Sequence, residues 1–109
     1  MQSWRSAGVL MSPTDVRASV AFLSGLAEPT RFRILRLLAS GEKSVTEVSN
    51  AMGIPFVNVS HHLSVMKTAG VLTSRKDGQS ALYSFACEFE TGETELTLHG
   101  PGVRVAVDL

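Results

Sequence analysis

The chain has 109 residues, 44% of them hydrophobic and 18% charged, with ten basic and ten acidic side chains and no formal net charge. That length suits one domain of about 100 to 150 residues, and the composition excludes a disordered, collagenous or low-complexity chain. No stretch approaches the roughly 18 consecutive apolar residues of a membrane span, and the opening MQSWRSAGVLM lacks the long apolar run of a secretory signal, so a cytoplasmic protein is expected. A lone Cys87 allows neither an internal disulfide nor a thiolate cluster, which leaves stability to packing.

Residues 1–11 carry no hydrophobic period and read as a loose arm, with an extension upstream of a start at Met11 as one explanation. Ser12-Pro13-Thr14-Asp15 then supplies a capping hydroxyl, a proline for the first helical position and an acid for the positive end of the dipole. Val16, Val20, Leu23 and Ala27 follow at helical spacing. Glu28-Pro29-Thr30 restarts the helix, since proline removes a donor yet suits a first turn. In the next segment Phe32, Ile34, Leu35, Leu37 and Leu38 cannot share one narrow stripe, which predicts a central helix buried on several sides and stopped by Gly41.

Ser44-Val45-Thr46-Glu47 is a capping box that opens a short helix ending at Gly53. Pro55 opens another, reaching about Ala69 and stopped by Gly70. Beyond it the period changes to two: VLTSRK and QSALYSF flank Asp77-Gly78, a strong signal for a two-residue hairpin turn. The tail ELTLHGPGVRVAVDL alternates again around His99-Gly100-Pro101-Gly102, which predicts a second hairpin. The fold class is therefore mainly α with β-hairpins (α+β): a helix-turn-helix followed by a wing over residues 12–86, and a β extension of the same domain over 87–109.

That outline is shared with proteins whose second helix enters the DNA major groove. On a wheel at ~100° per residue, Val59, Leu63 and Met66 form the buried stripe of the Pro55–Ala69 segment. The opposite face carries Val57, His61, Ser64 and Thr68, flanked by Asn58, Ser60 and Val65, where a helix merely facing water would more often carry Lys and Glu. Small polar side chains let a backbone approach base edges, and a valine methyl can meet a thymine methyl. Lys67 ends this helix, and Arg75, Lys76 and Gln79 flank the wing turn with a composition suited to phosphate or minor-groove contact; an ordinary soluble hairpin is the plainer reading.

His61 and His62 diverge by ~100° on the helix and cannot readily share one metal ion. His62 falls beside the buried stripe as a packed histidine, whereas His61 points outward, so DNA affinity is expected to rise on mild acidification.

Charge supports a polyanion partner in spite of the zero total. From Pro29 to Ser80 seven basic residues (Arg31, Arg33, Arg36, Lys43, Lys67, Arg75, Lys76) meet three acidic ones, a balance of +4. From Ala81 to Leu109 only Arg104 is basic against Glu88, Glu90, Glu93, Glu95 and Asp108, a balance of −4. Such asymmetry can aim a basic face at nucleic acid. The alternating acids read as a solvated strand edge rather than a metal site. Catalytic and cofactor motifs are missing: no phosphate-cradling glycine loop, no HExxH, no nucleophile elbow and no base spaced beside Cys87, so neither an enzyme nor a cofactor is expected.

The run LAEPTRFRILRLLASGEKSVTEVSNAMGIPFVNVSHHLSVMKTAGVLTSRKDGQSALYSF, about residues 26 to 85, resembles the ArsR/SmtB family of bacterial winged-helix repressors. The resemblance implies a homodimer that binds a palindromic operator and releases it when an effector, here unknown, binds. By matching positions it implies DNA contacts at Val57, Asn58, Ser60 and His61 and wing contacts at Arg75 and Lys76. Phe56 stands where the family is usually polar; on the wheel it flanks the core, and its role is open. Where thiol-sensing members carry Cys-x-Cys, this chain reads Ser44-Val45-Thr46, so that metal site is not expected. The strand-like tail, with His99 its one histidine, also replaces the family's last helix, which normally pairs with the first across the dimer. The expected dimer contact is therefore the first helix, through Val16, Val20 and Leu23, together with the tail hairpin. A winged-helix module that binds a protein partner, and a metal-responsive protein using His99, Cys87 and nearby acids, are the competing readings.

Overall fold

A computed structural model describes residues 13–109. The loose arm, the Met11 start and the Ser12 cap lie outside the described residues. The element order is α1 (Pro13–Leu26), α2 (Pro29–Leu38), β1 (Lys43–Ser44), α3 (Val45–Met52), α4 (Phe56–Thr68), β2 (Leu72–Asp77), β3 (Ser80–Phe85), β4 (Glu88–Thr91), β5 (Glu95–Gly100) and β6 (Val103–Asp108).

Local chemistry explains most boundaries. Glu28 caps α2 by accepting the Arg31 N–H at 2.8 Å, with Pro29 at the first helical position. Ser44 and Glu47 form the reciprocal box at α3: the Glu47 N–H donates to Ser44 Oγ at 3.1 Å and the Ser44 N–H to Glu47 Oε1 at 2.8 Å. In the α3–α4 turn Ser49 Oγ donates to the Ile54 carbonyl at 2.6 Å, which fixes the entry of α4.

The wing contains more than a hairpin. β1 pairs antiparallel with β3, giving a three-stranded sheet ordered β1-β3-β2. Asp77 pairs with Ser80, so the two turn residues are Gly78 and Gln79, one position beyond the expected Asp77-Gly78. Gly78 has φ +65° and no non-glycine residue among those described has positive φ, which fits the hairpin turn that needs a glycine first rather than the one that needs two left-handed residues.

The tail is a three-stranded meander, β4-β5-β6, where a two-stranded hairpin was expected. Leu96, Leu98 and Val107 of its inner face join Phe22, Leu26, Ile34, Leu35, Leu38, Val48, Val59, Leu63, Met66 and the wing residues Val71, Leu72 and Phe85 in one core. Its β5–β6 turn rests on α1: Ser19 Oγ donates to the Pro101 carbonyl at 2.6 Å, and a Cβ at Gly100 would lie 2.8 Å from the Phe22 ring. β4, one of the sheet's two edge strands, is exposed at all four positions, as a solvated acidic edge would be.

The central helix is less buried than its composition suggests. Ile34, Leu35 and Leu38 are in the core, but Leu37 is only partly buried and Phe32 remains 40% exposed. The tight joint lies instead between α1 and α4: a Cβ added at the buried Gly25 would stand 2.7 Å from Ala69 Cβ and 3.0 Å from a Val71 methyl. No helix among the described residues is long and apolar enough to cross a membrane.

Candidate nucleic-acid interface

Helix α4 presents two contrasting sides. Val59, Leu63 and Met66 are fully buried, as the wheel predicts, and lock the helix against the core. Val57 is 75% exposed, and Asn58, His61, Ser64, Lys67 and Thr68 are exposed beside it, with Ser60 and Val65 partly buried. The described residues leave this polar side open.

The first turn of α4 has no side-chain cap and no acid, and the N–H groups of Asn58 and Val59 both turn to the Pro55 carbonyl. The amides of Phe56 and Val57 before them belong to the first turn, which has no intrahelical acceptor, and the positive end of the helix dipole favours a phosphate there. The residues alone contain this signal, a helix opened by proline without a carboxylate in its first turn. Phe56 does not flank the core as the wheel suggests. It is 52% exposed and shares a cleft with Ser44, Val45, Thr46, Gln79, Ser80 and Ala81, which places the wing turn beside the start of α4.

At the other end Lys67 Nζ donates to Ser74 Oγ of β2 at 2.7 Å, tying the last turn of α4 to the wing. Lys76 and Gln79 are exposed. Arg75 is exposed but engaged: its Nε donates to Glu42 Oε2 at 3.2 Å and its Nη2 to Glu42 Oε1. This pairing holds the Glu42 carboxyl below the usual carboxylate range and raises the guanidinium. Glu42, 33 residues away in sequence, is a site residue that sequence reasoning missed. The row Ser44, Leu82, Arg75 across β1, β3 and β2 brings the two together, and no local pattern announces it.

His62 is packed, as its place on the wheel implies. Its Nδ1 lies 3.4 Å from Arg31 Nη1 and 3.7 Å from Glu28 Oε1. Arg31 also donates through Nε to the Gly25 carbonyl at 3.1 Å, so this arginine braces the α1–α2 junction. The Arg31 N–H, and then the nearby His62 and Arg31 side chains, lower the Glu28 carboxyl. His61, by contrast, faces an open groove with Ser64 and Thr68 of α4 and Ala21 and Ser24 of α1.

On α1 the expected assembly residues Val16, Val20 and Leu23 are all exposed, at spacings that put them on one face. Cys87 is half-buried, and burial raises its thiol. Among the described residues no group of three or more His, Cys, Asp or Glu is arranged to hold a metal ion.

A family model described as "Bacterial regulatory protein, arsR family" matches residues 28–74, from the Glu28 cap through α4 into β2. The crystal structure of Mycobacterium tuberculosis Rv0081 aligns at a TM-score of 0.59 and 36% identity, covering 70% of this chain and 76% of that one. The chain belongs to the ArsR family. In sequence, Rv0081, named an uncharacterized helix-turn-helix-type transcriptional regulator, is 42% identical over 66 residues, 60% of this chain and 58% of its own length. The M. tuberculosis transcriptional repressor SmtB is 36% identical over 69 residues, 63% of this chain and 51% of its own. The chain thus spans little more than half the length of these ArsR-family relatives. A Mycobacterium bovis domain described as a homodimeric winged helix-turn-helix DNA-binding domain of a possible ArsR-family regulator aligns at a TM-score of 0.63 and 30% identity, over 65% of this chain and 66% of that one. The fold is the winged helix-turn-helix of these proteins, with strands β4–β6 at its C-terminal end.

Proposed function

We propose that this ArsR-family protein is a homodimeric repressor that binds a palindromic DNA operator. The observation that carries the reading is the division of α4, buried along Val59, Leu63 and Met66 and open to solvent along its small polar side. Val57, Asn58, Ser60, His61 and Ser64 enter the major groove, where side chains of this size read base edges. Lys67, Arg75, Lys76 and Gln79 contact phosphates or the flanking minor groove, which sets register and affinity.

Dimerisation runs through Val16, Val20 and Leu23 of α1, an apolar stripe that the described residues of one protomer leave in water. The tail sheet that rests on α1 takes part in the same contact. Two copies related by a two-fold axis would set their α4 helices into half-sites about one helical turn apart. The Ser44-Val45-Thr46 segment is occupied by helix capping, which supports a member without the thiolate metal site.

Selection of bound fragments from a random duplex pool tests the reading. A recovered inverted repeat, protected symmetrically in footprinting, is the expected result. A pool that stays random, with binding that responds weakly to salt, would instead indicate a winged-helix module for a protein partner.

A further inference from the structure

The tail sheet has two free edges, and they differ in what they can accept. β4 bears Glu88 and Glu90 on one face, so antiparallel self-pairing about Phe89 would set each glutamate against the other's counterpart, like charge on like charge. β6 reads Arg104-Val105-Ala106-Val107-Asp108, a basic and an acidic residue placed symmetrically about a small one.

The ladder shows which backbone groups that edge offers. β5 and β6 are joined by the two-residue turn Pro101-Gly102, with Gly100 opposite Val103. In such a hairpin the pair flanking the turn is hydrogen-bonded and the pairs alternate from there. The Leu109 N–H donated to the Thr94 carbonyl at 3.0 Å, beyond the far end of the ladder, fits the same alternation. The N–H and C=O of Arg104, Ala106 and Asp108 therefore point away from β5, toward the free edge.

Their side chains are unanswered among the described residues. Arg104, Ala106 and Asp108 are exposed, and neither charged group has a partner among the described residues. Asp108 also lies directly opposite Glu95 on β5, a like-charge pair that a neighbouring cation would relieve.

We infer that β6 pairs antiparallel with β6 of a second copy about a two-fold axis at Ala106, joining the two tail sheets into one continuous sheet. Arg104 then faces the partner's Asp108, Asp108 faces the partner's Arg104, and Ala106 meets its own counterpart where a larger side chain would crowd the axis. Val105 and Val107 meet across the seam on the inner face. The inference rests on the dimer proposed above and specifies one part of its contact.

Sedimentation equilibrium on the full chain tests it. Arg104→Asp should weaken self-association about tenfold, and the double reversal Arg104→Asp with Asp108→Arg should restore it to within about threefold, because the charges then match again. Ala106→Pro should weaken it with an unchanged circular dichroism spectrum, since the N–H it removes does not serve β5. In a Cys87→Ser background, Ala106→Cys should oxidise to a covalent dimer and Thr91→Cys, on the β4 edge, should not. A dimer indifferent to all these changes overturns the β6 pairing and leaves the α1 contact standing. A protein that is monomeric at every concentration overturns both.

Discussion

Arg75 shows how a residue's neighbours decide what it can contribute. Its guanidinium is held by Glu42 in a two-point contact, so a phosphate must compete with a carboxylate for the same donors. Glu42→Gln should therefore raise affinity for DNA a few-fold and steepen the salt dependence by about one phosphate per subunit, a slope change in log affinity against log salt near −0.9 per subunit and so about −1.8 for a dimer. A DNA titration at several salt concentrations measures both. The pH dependence has a definite sign. The folded-state carboxyl of Glu42 is depressed, so the ion pair's stabilising contribution is complete above the ordinary glutamate range and is lost as pH falls through the lowered value. Acid thus releases Arg75 and removes the strut in one step. Residues such as His62 and Val57 were placed correctly by the wheel because their environment is set within one helix. The Arg75–Glu42 pair was not legible, because it depends on three strands finding their register.

Elements with their own start and stop signals follow the sequence closely. The Ser44 box, the Pro29 restart and the glycine after α4 are local devices, and the helices end where those devices end them. Removing one gives a measurable cost: Ser44→Ala should lose about 1 kcal/mol in urea unfolding. β1 and β4 were not visible as strands. β1 is two residues long and β4 is EFET, too short and too charged to stand out until β3 and β5 supply partners. Phe32 misled for the opposite reason: an apolar residue in an apolar helix still lands on the side that nothing covers. The joint between α1 and α4 was hidden as well, since Gly25 shows its purpose only against Ala69 and Val71. Gly25→Val should destabilise the fold by about 1–3 kcal/mol through overpacking, read as a lower urea midpoint at unchanged slope. In the proposed dimer the exposed side of α1 makes the contact, so Val20→Asp with Leu23→Asp should yield a folded monomer by sedimentation with DNA affinity greatly reduced.

Across the whole molecule the charge asymmetry of the chain is only partly an asymmetry of surfaces. Of the seven basic residues between Pro29 and Ser80, Arg31 braces the α1–α2 junction, and Arg33 and Arg36 line a hollow with Leu37, Met52 and Leu109. Lys43 is partly buried on β1 opposite Tyr83, and Lys67, Arg75 and Lys76 are the cations at α4 and the β2–β3 hairpin. Three or four phosphates per subunit predict a slope of log affinity against log salt near −6 for a dimer, measurable by fluorescence anisotropy between low and physiological salt. A slope near −3 would mean that one subunit at a time touches DNA.

The contact at Gly25 also sets how these parts move. With no room for even a methyl group between α1 and the end of α4, the helix proposed to meet a second copy and the helix proposed to enter the groove are braced as a single rigid lever. In the proposed dimer a small tilt where the two copies touch would be carried to both reading heads, so the spacing of the operator arms would be gauged at the seam between subunits and not by the heads themselves.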